Sequence, residues 1–338
     1  MGQFLNNFIC HIRMKDFIIR KIKSKRNEKY TYEYLDKRGN KVDESIIKCC
    51  LEGLYIPPAH DDVKINLNKK AKVLAIGYDN KGRAQYVYNK KHIEKQSKSK
   101  FNHMIEFGEC YKKINNQINR DLFTENDSKE KQIASVLKLV IDCCFRIGND
   151  KYSKENKSYG VTTLENRHIK VNKDTLSIDF IGKKGVRNTC KVRNKKLSKN
   201  LRLKKRTLNK NDRIFTYRIK NTYYNIKSSD VNKYLKKFGN FSAKNFRTWI
   251  ANLELISQLL KKDIVDSENK RKKQVSEALR KVADKLHNTP SVCKSNYIDP
   301  YIIDIFIKDN KRFNATFKDS SGKDEISEGY LELLRNKV

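Results

Sequence analysis

Val275, Ala278, Leu279, Val282, Ala283 and Leu286 fall at i, i+3, i+4, i+7, i+8 and i+11. That spacing lays six apolar side chains along one face of a helix, and no strand could bury them together. Helical patterns of this kind dominate the chain beyond about residue 100, whereas the first third has a period of two. There Tyr30-Thr31-Tyr32-Glu33-Tyr34 alternates and runs into Arg38-Gly39-Asn40-Lys41, which predicts a hairpin. Val73-Leu74-Ala75-Ile76-Gly77 and Gln85-Tyr86-Val87-Tyr88 flank Asn80-Lys81-Gly82 and predict a second, with Pro57-Pro58 interrupting the stretch between. His92 to Lys100 is polar and lysine-rich and reads as a linker. A strand pair, Leu176 to Phe180 and Val186 to Val192, surrounds Gly182-Lys183-Lys184-Gly185. No internal repeat is found. At roughly 150 residues per domain, 338 residues suit two. The expected fold class is α+β: a small β-rich domain over 1–97 and a larger, mainly helical domain over 98–338.

Charge defines the partner. Lysine and arginine number 75 against 39 aspartates and glutamates, a net charge of +36. Drift toward lysine would load solvated faces without a partner, but this excess over the acids is too large for drift alone. Each lysine or arginine set near a phosphate releases condensed counterions, so the expected partner is a nucleic acid. Charge alone does not separate an enzyme from a packaging protein. With 17 Tyr, 15 Phe and 1 Trp, the chain has the means to build a core and is not a disordered polycation. No run approaches the ~18 apolar residues of a membrane span. Met1 to Lys23 lacks an unbroken apolar stretch, so no secretory signal is expected. Asn6 stands where a myristoylation start needs Ser or Thr.

Cys10, Cys49, Cys50, Cys110, Cys143, Cys144, Cys190 and Cys293 form no CxxC pair. The two adjacent pairs suit neither a zinc knuckle nor a disulfide framework, so reduced, partly buried thiols are expected. There is no GxxxxGK[ST] loop, no HExxH and no EF-hand loop, so neither ATP use nor a resident metal has sequence support.

Five further segments occur in order. They are Phe145-Arg146-Ile147-Gly148-Asn149, the tip Ile181-Gly182-Lys183-Lys184-Gly185, Ala243-Lys244-Asn245-Phe246-Arg247-Thr248-Trp249, Leu286-His287-Asn288-Thr289-Pro290 and Ser295-Asn296-Tyr297-Ile298-Asp299-Pro300. An arginine, a hairpin lysine, a second arginine, a polar donor and a tyrosine in this order resemble the type IB DNA topoisomerase family. The resemblance is closest to its compact bacterial and poxvirus-like members, including those of other large DNA viruses. It extends into the first domain through Ile56-Pro57-Pro58-Ala59 with Asp62-Val63, and Lys81-Gly82-Arg83 with Gln85 to Tyr88. It covers the chain from about Ile18 to the last helices.

The residue types suit that family's chemistry. A tyrosine phenolate attacking a DNA phosphate leaves a stable yet reversible ester. Two arginines neutralise the nonbridging oxygens with fixed, forked donors. A lysine beside the leaving 5′ oxygen supplies its proton. The resemblance makes Tyr297 the nucleophile, Arg146 and Arg247 the phosphate clamps, Lys183 the general acid and Asn288, nine residues before Tyr297, a hydrogen-bond donor. Lys184 is the alternative acid on the same tip; Lys183 is preferred because it directly follows Gly182. Lys244 matches an additional basic residue, and Tyr86, Tyr88 and Tyr152 match positions that touch DNA, with cross-strand packing as the alternative reading of such residues. Tyr301 is read as packing.

Two positions depart from the family. His287 stands where glycine is usual, one residue before the donor, and Asn245 replaces a common aspartate before Phe-Arg-Thr. The resemblance implies a monomeric clamp around duplex DNA. It would relax supercoils of either sign through a 3′-phosphotyrosyl link, with no cofactor, wherever its DNA lies: nucleoid or cytoplasm, viral factory, virion or nucleus. A tyrosine recombinase shares the Arg-Lys-Arg-Tyr set but usually carries histidine at the place of Lys244. A non-catalytic DNA-packaging protein is the third reading.

Overall fold

The computed structural model describes residues 14–26, 29–79, 82, 84–318, 320 and 322–337. They divide into two compact units, 1–100 and 101–338. In the first, β1 (Phe17–Arg26), β2 (Lys29–Leu35), α1 (Glu44–Leu51), β3 (Asp61–Asn66), β4 (Val73–Tyr78) and β5 (Ala84–Tyr88) follow one another. The strands form one antiparallel sheet in the order β2-β1-β3-β4-β5. Ile18, Val63, Ile65 and Ala75 are buried, with Tyr34, Ile47, Leu51 and Val87 packed against them. Alternation therefore buries every second residue of β3 and β4.

The first expected hairpin is corrected. Gly39, at φ +88°, does turn the chain, and Asp36 accepts from the backbone of Arg38 and Asn40. Only the single bridge Leu35↔Lys41 follows, because Asp43 then caps α1 through Ser45 N–H. The strand that pairs with β2 is instead β1, upstream. The second hairpin is found, with Tyr78↔Ala84 its outermost pair and Gly82 at φ +67°. Asn80, Lys81 and Arg83 lie outside the described residues.

The linker expectation is corrected too. His92 to Lys100 belongs to α2 (Lys90–Phe123), a single helix of 34 residues, within which the boundary between the units falls. Lysine, glutamate and glutamine are good helix formers, so a polar run without glycine or proline extends a helix readily.

The second unit continues with α3 (Lys129–Cys143), α4 (Asp150–Asn156), β6 (Ile169–Asn172), β7 (Thr175–Ile181), β8 (Arg187–Arg193) and α5 (Lys195–Thr207). Then come β9 (Thr216–Ile219), β10 (Thr222–Asn225), α6 (Ser228–Leu235), α7 (Ala243–Leu259), α8 (Glu268–Lys285) and α9 (Pro290–Tyr297). It closes with α10 (Pro300–Lys308), α11 (Asn310–Thr316) and α12 (Lys323–Arg335). The β7–β8 pair forms as expected, joined by β6 on its other side; β9 and β10 form a separate ribbon. The apolar face of α8 is buried as its spacing requires.

Trp249 anchors this core. Its ring lies 6.0 Å from Phe107 and 4.8 Å from Tyr330, which ties α7 to α2 and α12. Gly108 makes room for it, since a Cβ there would stand 2.4 Å from Trp249 Cη2.

One chemical expectation is overturned. Cys143 and Cys190 are joined as a disulfide, with Cα atoms 5.8 Å apart. Chain folding, not sequence spacing, brings them together: one ends α3 and the other sits in the middle of β8. Cys49, Cys50, Cys110, Cys144 and Cys293 are free thiols.

Candidate active site

Four segments of the second unit deliver side chains to one place. The first leaves α3, where Cys144 takes a left-handed conformation at φ 53° and turns the chain toward Phe145 and Arg146. Gly148 (φ +96°) and Gly160 pack backbone to backbone; a Cβ on Gly160 would lie 2.5 Å from Gly148 and 2.7 Å from the Arg146 carbonyl. Val161 N–H donates to that carbonyl at 2.9 Å, so the loop carrying Arg146 is held by its main chain. Tyr152 projects from α4, which Asn149 caps, and is exposed.

Arg247 sits in the second turn of α7. Ser242 N–H and Oγ–H both donate to Asn245 Oδ1 at 2.9 Å, so an amide oxygen provides the start signal that the aspartate it replaces would provide. Lys244 is exposed in the first turn. The third segment follows α8: His287 adopts φ 51°, which turns the chain so that Asn288 follows and Thr289 caps α9, with Pro290 in its first turn. His287 lies against Phe145, the two rings tilted with centroids 5.4 Å apart. Tyr297 is the last residue of α9.

The contacts are specific. Arg146 Nη2 donates to Asn288 Oδ1 at 2.5 Å. The Arg247 guanidinium lies 5.1 Å from the Tyr297 ring centroid, and its Nη2 donates to the Leu286 carbonyl at 3.1 Å. Arg247 Nε and Nη1 and Asn288 Nδ2 are buried donors without a partner, and neither arginine forms an ion pair with a carboxylate among the described residues. Each such donor costs about 1–3 kcal/mol, a cost that a bound phosphate, rich in acceptors, would offset.

Electrostatics favour an anion at the same point. Burial pushes the Tyr297 phenol up, but the Arg247 guanidinium, with Arg146 and Lys244 behind it, outweighs burial and holds it below the usual phenol value. Burial and then the charge of Arg247 work against the protonated form of Arg146. His287 is held below its ordinary value by burial and by both arginines, so it adds no third cation. Burial pushes Cys293 up to about 11, and it stays a thiol.

Not every expected residue joins this cluster. Lys183 and Lys184 stand exposed at the tip of the β7–β8 hairpin, and neither is among the leading charges that act on Tyr297. The tip is tightly built: Gly182 N–H donates to the Val186 carbonyl at 2.8 Å, and a Cβ on Gly182 would meet Asn188 Nδ2 at 2.5 Å. Tyr86 and Tyr88 lie in the first unit as a stacked pair with centroids 6.1 Å apart. Tyr301 is partly buried against the core with Lys337 Nζ 5.2 Å from its ring, a packing role as expected.

Sequence reasoning missed Asn252. Fully buried in α7, its Nδ2 donates to the Tyr297 carbonyl at 2.9 Å and its Oδ1 accepts from Asp299 N–H at 2.8 Å. It fastens the helix of Arg247 to the backbone of Tyr297. Its sequence signal was an amide alone between Trp249-Ile250-Ala251 and Leu253.

Two family models match. Residues 89–318 fit the eukaryotic DNA topoisomerase I catalytic core, more than half of the chain. The chain belongs to the type IB DNA topoisomerase family. Residues 31–79 fit the N-terminal domain of bacterial DNA topoisomerase IB. The DNA topoisomerase 1B of Acanthamoeba polyphaga mimivirus is 29% identical over 93% of this chain and 94% of its own length. The DNA topoisomerase I of Monkeypox virus is 26% identical over 73% of this chain and 76% of its own. The enzyme of Vaccinia virus (strain Copenhagen) is 25% identical over the same shares. The topoisomerase is thus an enzyme that relaxes supercoiled DNA by transiently cutting one strand. Among the described residues no helix is long and apolar enough to cross a membrane.

Proposed function

We propose that Tyr297 cuts the DNA strand and that Arg146, Arg247 and Asn288 stabilise the phosphate in transition. The observation that carries this reading is the convergence of two guanidiniums, an amide and a phenol on one point, with buried donors left over. Tyr297 Oη attacks phosphorus as a phenolate, favoured by the arginine charges. The P–O5′ bond breaks, the protein holds a 3′-phosphotyrosine, and a free 5′ hydroxyl departs. Arg146 and Arg247 bind the nonbridging oxygens as charge builds on them, and Asn288 Nδ2–H adds a neutral donor. Lys183, brought in on its hairpin, protonates the leaving 5′ oxygen. After the free strand has swivelled, the reverse steps reseal it. The phosphodiester is exchanged for an ester of similar energy, so the cycle needs no ATP, and the two guanidiniums supply the charge stabilisation that a metal would otherwise give.

The two units, acting as a monomer, close as a clamp on duplex DNA in whichever compartment holds it. Lys244 lies beside the scissile phosphate. Tyr86 and Tyr88 offer one aromatic face to the duplex, and Tyr152 another. The test is relaxation of positively and negatively supercoiled plasmid in EDTA without ATP, alongside a strand-exchange assay on paired sites. Relaxation without exchange is expected. A requirement for paired sites, or for added nucleotide or metal, overturns the reading.

A further inference from the structure

The disulfide lies where the reaction's two arms meet the scaffold. Cys143 is the last residue of α3, three positions before Arg146, and is buried. Cys190 sits in β8 opposite Ile178 of β7, on the strand that descends from the lysine tip. It lies three steps from the last rung, Ile181↔Arg187, roughly 10 Å at the rise of a strand. In the order β6-β7-β8, β8 is an edge strand, paired on one side only. Its other side is tied to α3 by this link. The outer hairpin is otherwise solvated: Ile181, Val186 and the Asp179–Arg187 ion pair are exposed. On the inner side Phe145 meets Phe180 edge to face at 4.9 Å, Asn188 is buried, and Tyr159 N–H donates to the Ile181 carbonyl at 2.8 Å.

We propose that Cys143 and Cys190 form a redox-governed tether that positions the Lys183 hairpin relative to Arg146. The pair rests on the reading of Lys183 as general acid, and its members are positioning residues that touch no substrate. Formation starts at Cys190, which is partly exposed. Its thiolate attacks a small-molecule disulfide, releasing one thiol and leaving a mixed disulfide. The Cys143 thiolate then displaces the second thiol and closes the protein bond. Two protein thiols are oxidised, one external disulfide is reduced to two thiols, and the two protons lost by the protein are taken up by them. With the bond closed, the hairpin starts from one place and the lysine's approach to the leaving oxygen is pre-organised. With it open, the edge strand loses its covalent link to α3 and is held by its ladder and by non-covalent packing at Asn188 and Val192, and protonation of the leaving group slows.

The experiment uses the full chain, oxidised with glutathione disulfide or reduced with a phosphine, then freed of reagent. Peptide mapping after alkylation verifies the pair. Single-turnover cleavage is measured on duplex DNA with an ordinary 5′ oxygen and on one with a 5′-bridging sulfur, which leaves without needing a proton. The oxidised protein is expected to cut ordinary DNA about tenfold faster than the reduced one, and the ratio should shrink to within about twofold on sulfur. Cys143→Ser and Cys190→Ser should behave as the reduced protein whatever the treatment. Cys143→Ala with Cys190→Val keeps the site apolar without the bond, so it should hold its Tm while remaining slow on oxygen alone. Equal oxidised and reduced rates on ordinary DNA, an equal ratio on both substrates, or no disulfide between these residues overturns the tether. Lys183→Ala, run in parallel, reads the general acid by itself: failure of sulfur to rescue it rejects that assignment, whatever the redox ratio.

Discussion

Replacing Asn288 removes two things at once. Its Oδ1 accepts from Arg146 Nη2 at 2.5 Å, and its Nδ2 is a buried donor with no partner in the protein. Loss of one such donor to a developing oxyanion costs about 10²–10³-fold in rate, roughly 2.7–4 kcal/mol. Asn288→Ala should therefore fall by at least about 10²-fold in single-turnover cleavage. DNA affinity should hardly change, because both arginines still meet the phosphate. Asn288→Asp separates the two roles. A carboxylate keeps the bond to Arg146 but donates nothing and places a negative charge beside the phosphate. At about 4 Å and an effective dielectric constant near 20 the bare repulsion is of order 4 kcal/mol, reduced by Arg146. Asp should thus be slower than Ala, although it is closer to Asn in shape. Asn288→His should keep appreciable activity, since a neutral imidazole donates from one nitrogen and accepts from the other. The assay is rapid-quench cleavage on a suicide duplex, with affinity measured separately. Asn288→Ala within fivefold of the parent, or His287→Ala as the more damaged variant, would refute the reasoning.

Other outcomes follow from the same geometry. The pH profile of cleavage should level off below the ~10 of an ordinary phenol, because the arginine charges favour the anion. Removing a cation lowers that preference, so Arg247→Ala should move the inflection upward as well as lower the plateau; an unmoved inflection rejects Arg247 as its cause. Gly160→Ala places a Cβ against the backbone of Gly148 and the Arg146 carbonyl. It should lower stability by about 1–3 kcal/mol in chemical denaturation and slow cleavage, and a silent substitution would show that the loop position is not shared with Arg146. Cys293, held up at about 11 by burial, should resist alkylation at pH 8 while exposed Cys49 reacts; fast labelling of Cys293 contradicts its burial.

The residues that converge in the candidate site were legible because the chemistry proposed for them calls for particular residue types in a fixed order. Arg146, Arg247, Asn288 and Tyr297 come together from four separate segments. The apolar stripe of α8 and the β7–β8 pair were legible for another reason, since each carries its period in consecutive residues. What sequence could not reveal depends on long-range closure. The Cys143–Cys190 bond joins residues 47 apart, and only the packing of α3 on β8 brings them near. Asn252 looked like any helical amide until Tyr297 and Asp299 folded onto it. The supposed linker was a helix because lysine is polar without being a helix breaker. The role of β2 as partner of β1, not of a downstream strand, was hidden by a good turn that a helix cap overrides.

The central claim is that Tyr297 becomes bonded to DNA. Denaturing the reacting enzyme with detergent should trap a covalent adduct. Digestion and mass spectrometry should place it on Tyr297, joined to the 3′ phosphate of the cut strand, leaving a free 5′ hydroxyl. Tyr297→Phe should bind DNA as the parent does and form none. An adduct on Tyr301, a 5′ linkage, or an adduct that survives in Tyr297→Phe would contradict the account.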